Sequence, residues 1–267
     1  MSYVDVPDKK QKHPHYEHRT AKLDLKDNEF SSKKFQQVRK VSTHKKLLKS
    51  FGRIGMCLNN RATTSIPTED LNKVCFIIMN DYDDDDKELG VGPLNDGYLI
   101  GLKHHRLGFK VFYLYNSNCT QFTNFLSFLM IKTTESLTVF YSGRDDNAEG
   151  IEFDESTLSK GSISQIISSN NNDQLRLIFI TDTIAGGSVF DIDGCQNAIS
   201  FSVQKTNSNV EKEVERFTYY FCKIISDCPN ITPNRLVERM NPSLTRFNEV
   251  FTCEFKAKEL GETPIFN

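Results

Sequence analysis

The sequence predicts an α/β domain whose mostly parallel sheet is flanked by helices on both faces, preceded by a basic N-terminal extension. Short apolar runs rich in β-branched and aromatic residues recur along the chain, as expected of buried strands. Segments with helical periodicity alternate with these runs, which is typical of a parallel sheet. Apolar residues make up 38% of the 267 residues, and 20 are Phe, which is enough for a large core.

Charge divides the chain into two parts. Residues 1–53 carry 14 Lys or Arg against 6 Asp or Glu, a formal +8, whereas the remainder carries 19 against 29, a formal −10. A basic extension on an acidic body indicates an acidic partner for the extension. The Asp-rich segment 81–86 lacks the glycine and the glutamate that a calcium loop needs, so we expect no metal and no cofactor.

The cysteines and the apolar runs bear on localisation. Seven cysteines without a CxxC pair favour reduced thiols in the cytoplasm. The first residues lack the apolar core of a signal peptide, and the longest apolar patch, 125–131, is too short to span a bilayer. We therefore expect a cytoplasmic protein without a transmembrane segment.

The extension is predicted in two parts. Residues 1–30 are too polar to offset the entropy of ordering, so we expect a disordered tail. Residues 31–65 are predicted as a basic amphipathic helix, 31–54, followed by a linker. Such a helix either binds an anionic surface or packs on the domain with its lysines in water, and its periodicity does not separate the two.

Residues 66–267 are predicted as the α/β domain. After a connector at 55–73, the predicted strands are 74–79, 110–114, 137–142, 175–181, 198–203 and 249–255. The predicted helices are 93–107, ended by Gly108, then 120–131, 161–169, 211–225 and 229–240.

Two of these strands end in turns with polar side chains. Strand 137–142 runs into Tyr141-Ser142-Gly143-Arg144-Asp145, and strand 175–181 runs into Asp182-Thr183-Ile184-Ala185-Gly186-Gly187. In an open α/β sheet, sites form at the carboxyl ends of strands. The two turns are therefore the candidate site.

Both turns resemble those of the caspase-like peptidases, and of metacaspases most closely. That family carries its catalytic His in Tyr-Ser-Gly-His-Gly and its nucleophilic Cys in Asp-Ser-Cys-His-Ser-Gly. The resemblance covers roughly residues 70–265 and implies a caspase-like fold. Supporting matches in the same order are Asn95-Asp96 before a Leu-rich helix, Leu107-Gly108-Phe109, Phe217-Thr218-Tyr219 and Pro264.

The catalytic positions of the family are altered here. Arg144 stands at the His position and Ile184 at the Cys position. A cysteine peptidase needs a thiolate and an imidazole, whereas isoleucine offers no nucleophile and arginine stays protonated. We therefore expect a pseudoenzyme without catalytic residues.

The resemblance also implies a remnant pocket for a basic side chain. In metacaspases that pocket is formed by residues that match Asp96, Ser142 and Asp182, all of which keep their type here. Carboxylates that converge in a partly buried pocket need a cation. In one reading Arg144 supplies it and closes a structural network; in the other, a Lys or Arg of a partner binds there without being cut.

We therefore expect a protein-binding or scaffold component whose basic arm, residues 1–53, docks on an acidic partner. Candidates are a cytoskeletal filament such as a microtubule, another protein assembly, or an anionic membrane surface. Nucleic acid is disfavoured because the arm has few aromatics and the body is acidic. The alternatives are a regulatory decoy of an active metacaspase, or a divergent cysteine peptidase that cleaves after Lys or Arg.

Overall fold

The computed structural model describes residues 41–82, 89–145, 149–170, 172–205 and 216–266. The predicted tail 1–30, the helical segment 31–40, the Asp-rich segment 83–86 and the helix start 211–215 lie outside these residues. The strands are β1 Gly55–Cys57, β2 Lys73–Met79, β3 Lys110–Tyr115, β4 Ser136–Gly143, β5 Gly150–Glu152, β6 Thr157–Ser159, β7 Arg176–Thr183, β8 Ala198–Lys205 and β9 Glu249–Phe255. The helices are α1 Val41–Phe51, α2 Gly92–Arg106, α3 Cys119–Lys132, α4 Lys160–Ser169, α5 Arg216–Asp227 and α6 Pro233–Leu244.

The main sheet has seven strands in the order β1-β3-β2-β4-β7-β8-β9. Every pair in it is parallel except β8 with β9, which is antiparallel. The predicted fold class, a mostly parallel sheet in an α/β domain, is confirmed. One prediction was wrong: the connector 55–73 contains β1, which pairs with β3 at the sheet edge.

Helices cover both faces of the sheet, because alternate strand residues point to opposite sides. On one face, Leu137 and Val139 of β4 belong to the same core cluster as Phe122 of α3 and Ile163 of α4. On the other face, α2 packs against β2, and Thr218 of α5 bonds to β7. Side chains of Ser142 and Asp182 therefore belong to the face that α2 and α5 cover.

Gly97, in the second turn of α2, lies against the carboxyl end of β2. A Cβ built on Gly97 would overlap the Sδ and Cγ atoms of Met79, the last residue of β2. The absence of a side chain thus lets the helix lie directly on the strand. As a result, Asp96 is held at the end of the sheet where β4 and β7 also finish.

Helix α1 is docked on the domain. Leu47 and Phe51 are fully buried, and the ring of Phe51 stacks on Tyr113 of β3 at 4.1 Å between centroids. Lys45 and Lys49 face solvent. Of the two readings of the basic helix, the structure shows the packed one for Val41–Phe51, so this part of the predicted helix 31–54 belongs to the same compact unit as the sheet.

None of the seven cysteines, all of which lie within the described residues, forms a disulfide bond. Among the described residues, no helix combines the length and the apolar character needed to cross a membrane.

Candidate functional site

The turns after β4 and β7 meet at the carboxyl end of the sheet. The strands are in register there, with Ser142 opposite Asp182 and Gly143 opposite Thr183. Beyond the strands, the Asp145 carboxylate accepts a hydrogen bond of 3.0 Å from the Ala185 N–H. Since Asp145 follows Arg144 and Ala185 follows Ile184, Arg144 and Ile184 are each adjacent to one member of this bonded pair.

Two glycines direct the second turn. Gly186 and Gly187 have φ of 85° and 95°, in the region that favours glycine. The Gly187 N–H donates to the Val203 carbonyl of β8 at 2.6 Å, so the chain folds back across the sheet end at once. This tight exit, which the sequence predicted, leaves Ala185 exposed at the rim.

Two tyrosines fix the main chain of Arg144. The Tyr82 hydroxyl accepts from the Arg144 N–H at 2.7 Å and donates to the Glu152 carbonyl at 2.8 Å. The Tyr141 hydroxyl donates to the Arg144 carbonyl. Burial raises the pKa of Tyr82 to about 12 and that of Tyr141 well above its usual value. Both phenols therefore stay protonated at neutral pH and act as hydrogen-bonding anchors.

The Arg144 side chain lies beside a carboxylate of the small hairpin β5–β6. Its Nε is 3.6 Å from Oε2 of Glu152, with both side chains partly exposed. Glu152 is not one of the three remnant pocket residues. The predicted pairing of Arg144 with Asp96 or Asp182 stays a prediction.

The remnant pocket residues occupy one end of the sheet on the face of α2 and α5. Ser142 and Asp182 are register partners on neighbouring strands, and Asp96 is the fifth residue of α2. Asp96 and Ser142 are buried, and Asp182 is half-buried. The Thr218 hydroxyl of α5 donates to Asp182 Oδ2 at 2.8 Å, which orients this carboxylate. In the sequence, Thr218 is only part of the Phe217-Thr218-Tyr219 match, and its bond to Asp182 was not predicted.

A second polar cluster lies at the carboxyl ends of β2 and β3. Buried Asp81 accepts from the Tyr115 hydroxyl at 2.6 Å and from the Asn116 amide at 2.6 Å. Its Oδ2 also lies 2.9 Å from His44 Nε2 of α1. No sequence pattern predicts that the imidazole of His44 lies beside Asp81. The contact ties the start of α1 to the sheet, and the ring is engaged with Asp81.

Other groups with catalytic chemistry are unsuited to it. Burial, together with the charges of Asp173 and Asp191, raises the pKa of Cys195, so its thiol is protonated at neutral pH. His104 is fully buried and its Nδ1 bonds to the Ile100 carbonyl at 2.9 Å. In the part of the chain that the structure describes, no group of His, Cys, Asp and Glu could hold a metal ion.

Sequence reasoning missed Tyr82 and Thr218 as site residues, and it placed Asp145 in a candidate turn without predicting its bond to Ala185. Tyr82 lies in an acidic segment that the sequence predicts as a loop. Its backbone has a φ of 63°, which is rare for a tyrosine and which no sequence pattern predicts. Asp145 had a weak signal, because it follows a strand end that was already a candidate. Thr218 needed the packing of α5 on the sheet, which no local pattern reports.

Comparison with known proteins reveals the architecture alone. No family model and no curated protein matches the sequence. Among solved structures, the Drosophila initiator caspase Dronc resembles it with a TM-score of 0.54 at 13% identity, covering 73% of this chain and 80% of that one. The two turns with Arg144 and Ile184 thus stand at the carboxyl ends of central strands, and the chain has a caspase-like α/β fold.

Proposed function

We propose that this protein is a metacaspase-like pseudoenzyme that works as a protein-binding or scaffold component. The observation that carries the proposal is the junction of the two turns. Asp145 and Ala185 hold the turns together, and the flanking positions carry Arg144 and Ile184 in place of an imidazole and a thiol. Neither of these two side chains can serve as a nucleophile or as a proton shuttle.

The Asp145–Ala185 bond also argues against acyl-transfer chemistry. Such chemistry uses main-chain N–H groups beside the nucleophile to stabilise the developing oxyanion. The Ala185 N–H, next to the nucleophile position, already donates to a carboxylate. A negative charge at this point opposes the formation of another one close by.

A binding role for the remnant pocket is supported by its charges. Asp96 and Asp182 lie on the same side of the same sheet end, with the Ser142 hydroxyl in register beside Asp182. A half-buried carboxylate that is oriented by a buried threonine is a suitable acceptor for an ammonium or guanidinium group. In this proposal, a Lys or Arg side chain of a partner binds there and is not cut.

The basic extension supplies a second contact with an acidic partner. The apolar side of α1 is packed in the domain, so Lys45, Lys49 and Arg53 remain on the surface. The sequence before them adds further positive charge. The partner proposed for this positive charge is an acidic one in the cytoplasm: a cytoskeletal filament such as a microtubule, another protein assembly, or an anionic membrane surface.

A pull-down from native cells tests the scaffold role, with full-length protein beside a version that lacks residues 1–40. The deletion ends there because Leu47 and Phe51 are core residues whose removal would unfold the domain. A full-length variant with Lys33, Lys34, Arg39 and Lys40 changed to Glu is the matched control. We expect both changes to remove the same major partner. Retention of every partner by both would contradict docking through the extension.

Peptide binding tests the pocket. Full-length protein is titrated with peptides that carry a central Lys, Arg or uncharged norleucine, beside the variants Asp182→Asn and Asp96→Asn. We expect Lys or Arg peptides to bind more tightly than the norleucine peptide, and each variant to lose at least about tenfold of that preference. Equal binding of the three peptides would rule out a basic-residue pocket.

A thiol-reactive peptide probe with a basic residue before its warhead tests the peptidase alternative. We expect no labelling and no cleavage of the matching peptide. Covalent labelling of one cysteine, abolished by its change to Ala, would establish the divergent peptidase instead.

A further inference from the structure

The main sheet ends at β1 on one side and at β9 on the other, and β9, with 7 residues, is the longer of these two edge strands. Among the described residues, no strand pairs with β9 on the side away from β8. An edge strand offers a row of main-chain donors and acceptors to any extended segment that approaches it, unless the protein covers the edge. The edge of β9 therefore raises the question of what covers it.

A single side chain occupies the middle of this edge. The Asn241 amide of α6 accepts from the Phe251 N–H at 2.8 Å through Oδ1 and donates to the Phe251 carbonyl at 3.3 Å through Nδ2. The amide thus reproduces the pair of bonds that a neighbouring strand would make to one residue. Opposite Phe251 in register, the Val203 carbonyl bonds to Gly187, which confirms that Phe251 directs its polar main-chain atoms outward.

The position of Asn241 is fixed by the helix around it. Met240 and Leu244 of α6 are fully buried, so the helix cannot rotate without exposing them. Pro242 follows inside the helix, and the Asn241 carbonyl accepts from the Thr245 hydroxyl at 2.8 Å. These contacts hold the amide against the strand.

The side chains of β9 suit a second copy of this chain. Antiparallel pairing of two β9 strands about Thr252 places Phe251 opposite Cys253, Val250 opposite Glu254 and Glu249 opposite Phe255. No like charges then lie directly opposite each other. Val250 is one of two large apolar side chains that are exposed among the described residues, with 37% of its surface accessible. Such an edge invites self-association when its main-chain groups are available.

We propose that Asn241 is a built-in guard that closes the β9 edge and keeps the domain from pairing with a second copy through this strand. The proposal requires the protein to fold without this amide, and the burial of Phe251 and its stacking on Phe201 are contacts that do not involve Asn241. Removal of the amide frees the outward N–H and carbonyl of Phe251 for another strand.

Full-length wild type is compared with Asn241→Ala, Asn241→Ser and Asn241→Leu by sedimentation over a range of concentrations. Amide exchange at Phe251 is measured at the lowest concentration. We expect a monomeric wild type and variants whose dimer fraction rises with concentration. Exchange at Phe251 should be roughly tenfold faster in the dilute variants than in the wild type. Asn234→Ala, on the same helix, removes an exposed amide that bonds to Glu262 and should leave the protein monomeric.

Asn241→Ala combined with Val250→Lys identifies the surface, because a lysine on the edge opposes strand pairing. We expect this double variant to return to a monomer while its Phe251 amide remains fast. The proposal is overturned if the single variants stay monomeric although Phe251 exchanges quickly, or if the double variant dimerises equally. Failure of all three single variants to fold also overturns it, since Asn241 would then be a structural necessity.

Discussion

The Asp145 carboxylate and the Ala185 N–H are joined by a 3.0 Å hydrogen bond that connects the turns of two neighbouring strands. The two residues are 40 positions apart in the chain and lie one position beyond Arg144 and Ile184. The bond fixes the relative placement of the turns through a main-chain group. A structural link therefore lies directly beside both Arg144 and Ile184.

Replacing Asp145 should loosen this link. We expect Asp145→Ala to lower the free energy of unfolding by about 2 kcal/mol, because a buried charged acceptor is lost, and Asp145→Asn to lower it by about half as much, because an acceptor oxygen remains. Urea unfolding of the full-length variants measures both. An Ala variant as stable as the wild type would show that water replaces the carboxylate without cost.

Arg144 and Tyr82 should contribute unequally to stability. We expect Arg144→Ala to change the free energy of unfolding by less than about 1 kcal/mol, because the ion pair with Glu152 is partly exposed. Tyr82→Phe should cost about 1–3 kcal/mol, because buried partners of the hydroxyl lose their bonds. Chemical denaturation ranks the two variants. The reverse order would mean that the Arg144 side chain, and not its main chain, holds the turn.

The Asp81 cluster should control the attachment of α1. We expect His44→Ala to destabilise the protein by about 1 kcal/mol and to speed tryptic cleavage at Lys45 and Lys49, since the start of α1 loses its bond to Asp81. Limited proteolysis followed by mass spectrometry measures the rate. Lys223→Ala, which breaks an exposed pair with Asp227 elsewhere, is the control and should leave the rate unchanged. Unaltered cleavage in the His44 variant would indicate that Leu47 and Phe51 alone hold the helix.

His104 should make stability depend on pH. Burial lowers the pKa of His104 from 6.5 to about 4, so the fold favours the neutral ring. This stabilisation is fully present above pH 6.5, the unfolded value, and is lost as the pH falls to about 4. The linkage amounts to about 3 kcal/mol.

We therefore expect His104→Leu to lose less stability between pH 6.5 and 4 than the wild type, as followed by urea unfolding at several pH values. His105→Leu changes an exposed neighbour and should keep the wild-type pH dependence. Parallel losses in the wild type and the His104 variant would show that His104 is protonated within the fold.

The thiols should differ in reactivity towards iodoacetamide. Burial raises the pKa of Cys253 to about 12 and that of Cys75 well above its usual value, and it raises the pKa of Cys195 as well. We expect exposed Cys57 to react first at neutral pH, with Cys75 and Cys195 protected until the protein is denatured. Peptide mass spectrometry over time gives the order. Fast modification of Cys195 would reopen the question of a nucleophile near the second turn.

Sequence patterns predict the central strands because their burial on both faces produces continuous apolar runs. The runs 74–79 and 137–142, for example, lie inside β2 and β4 and end within one residue of them. The pattern fails at β1, since Gly55, Met56 and Cys57 form a strand only through pairing with β3. Three residues with a glycine carry no periodicity, so their structure depends on a distant partner.

Only those parts of the candidate site that are marked by local sequence signals could be predicted. The two turns were found because strand ends and glycines are local signals. The bonds of Asp145 to Ala185 and of Thr218 to Asp182 join residues 40 and 36 positions apart. Contacts of this kind arise from the packing of whole elements, which a reading of short windows does not include.

Because Tyr82 and Tyr141 bond to the main chain of Arg144, the shape of this turn does not depend on the chemistry of the side chain. Both polar atoms of its main chain are satisfied by hydroxyls from other parts of the chain, so the turn keeps its shape whichever side chain residue 144 bears. Substitution there carries little structural penalty. The fold therefore does not dictate which side chain stands at residue 144, and the same turn can present groups of quite different chemistry at the end of the sheet.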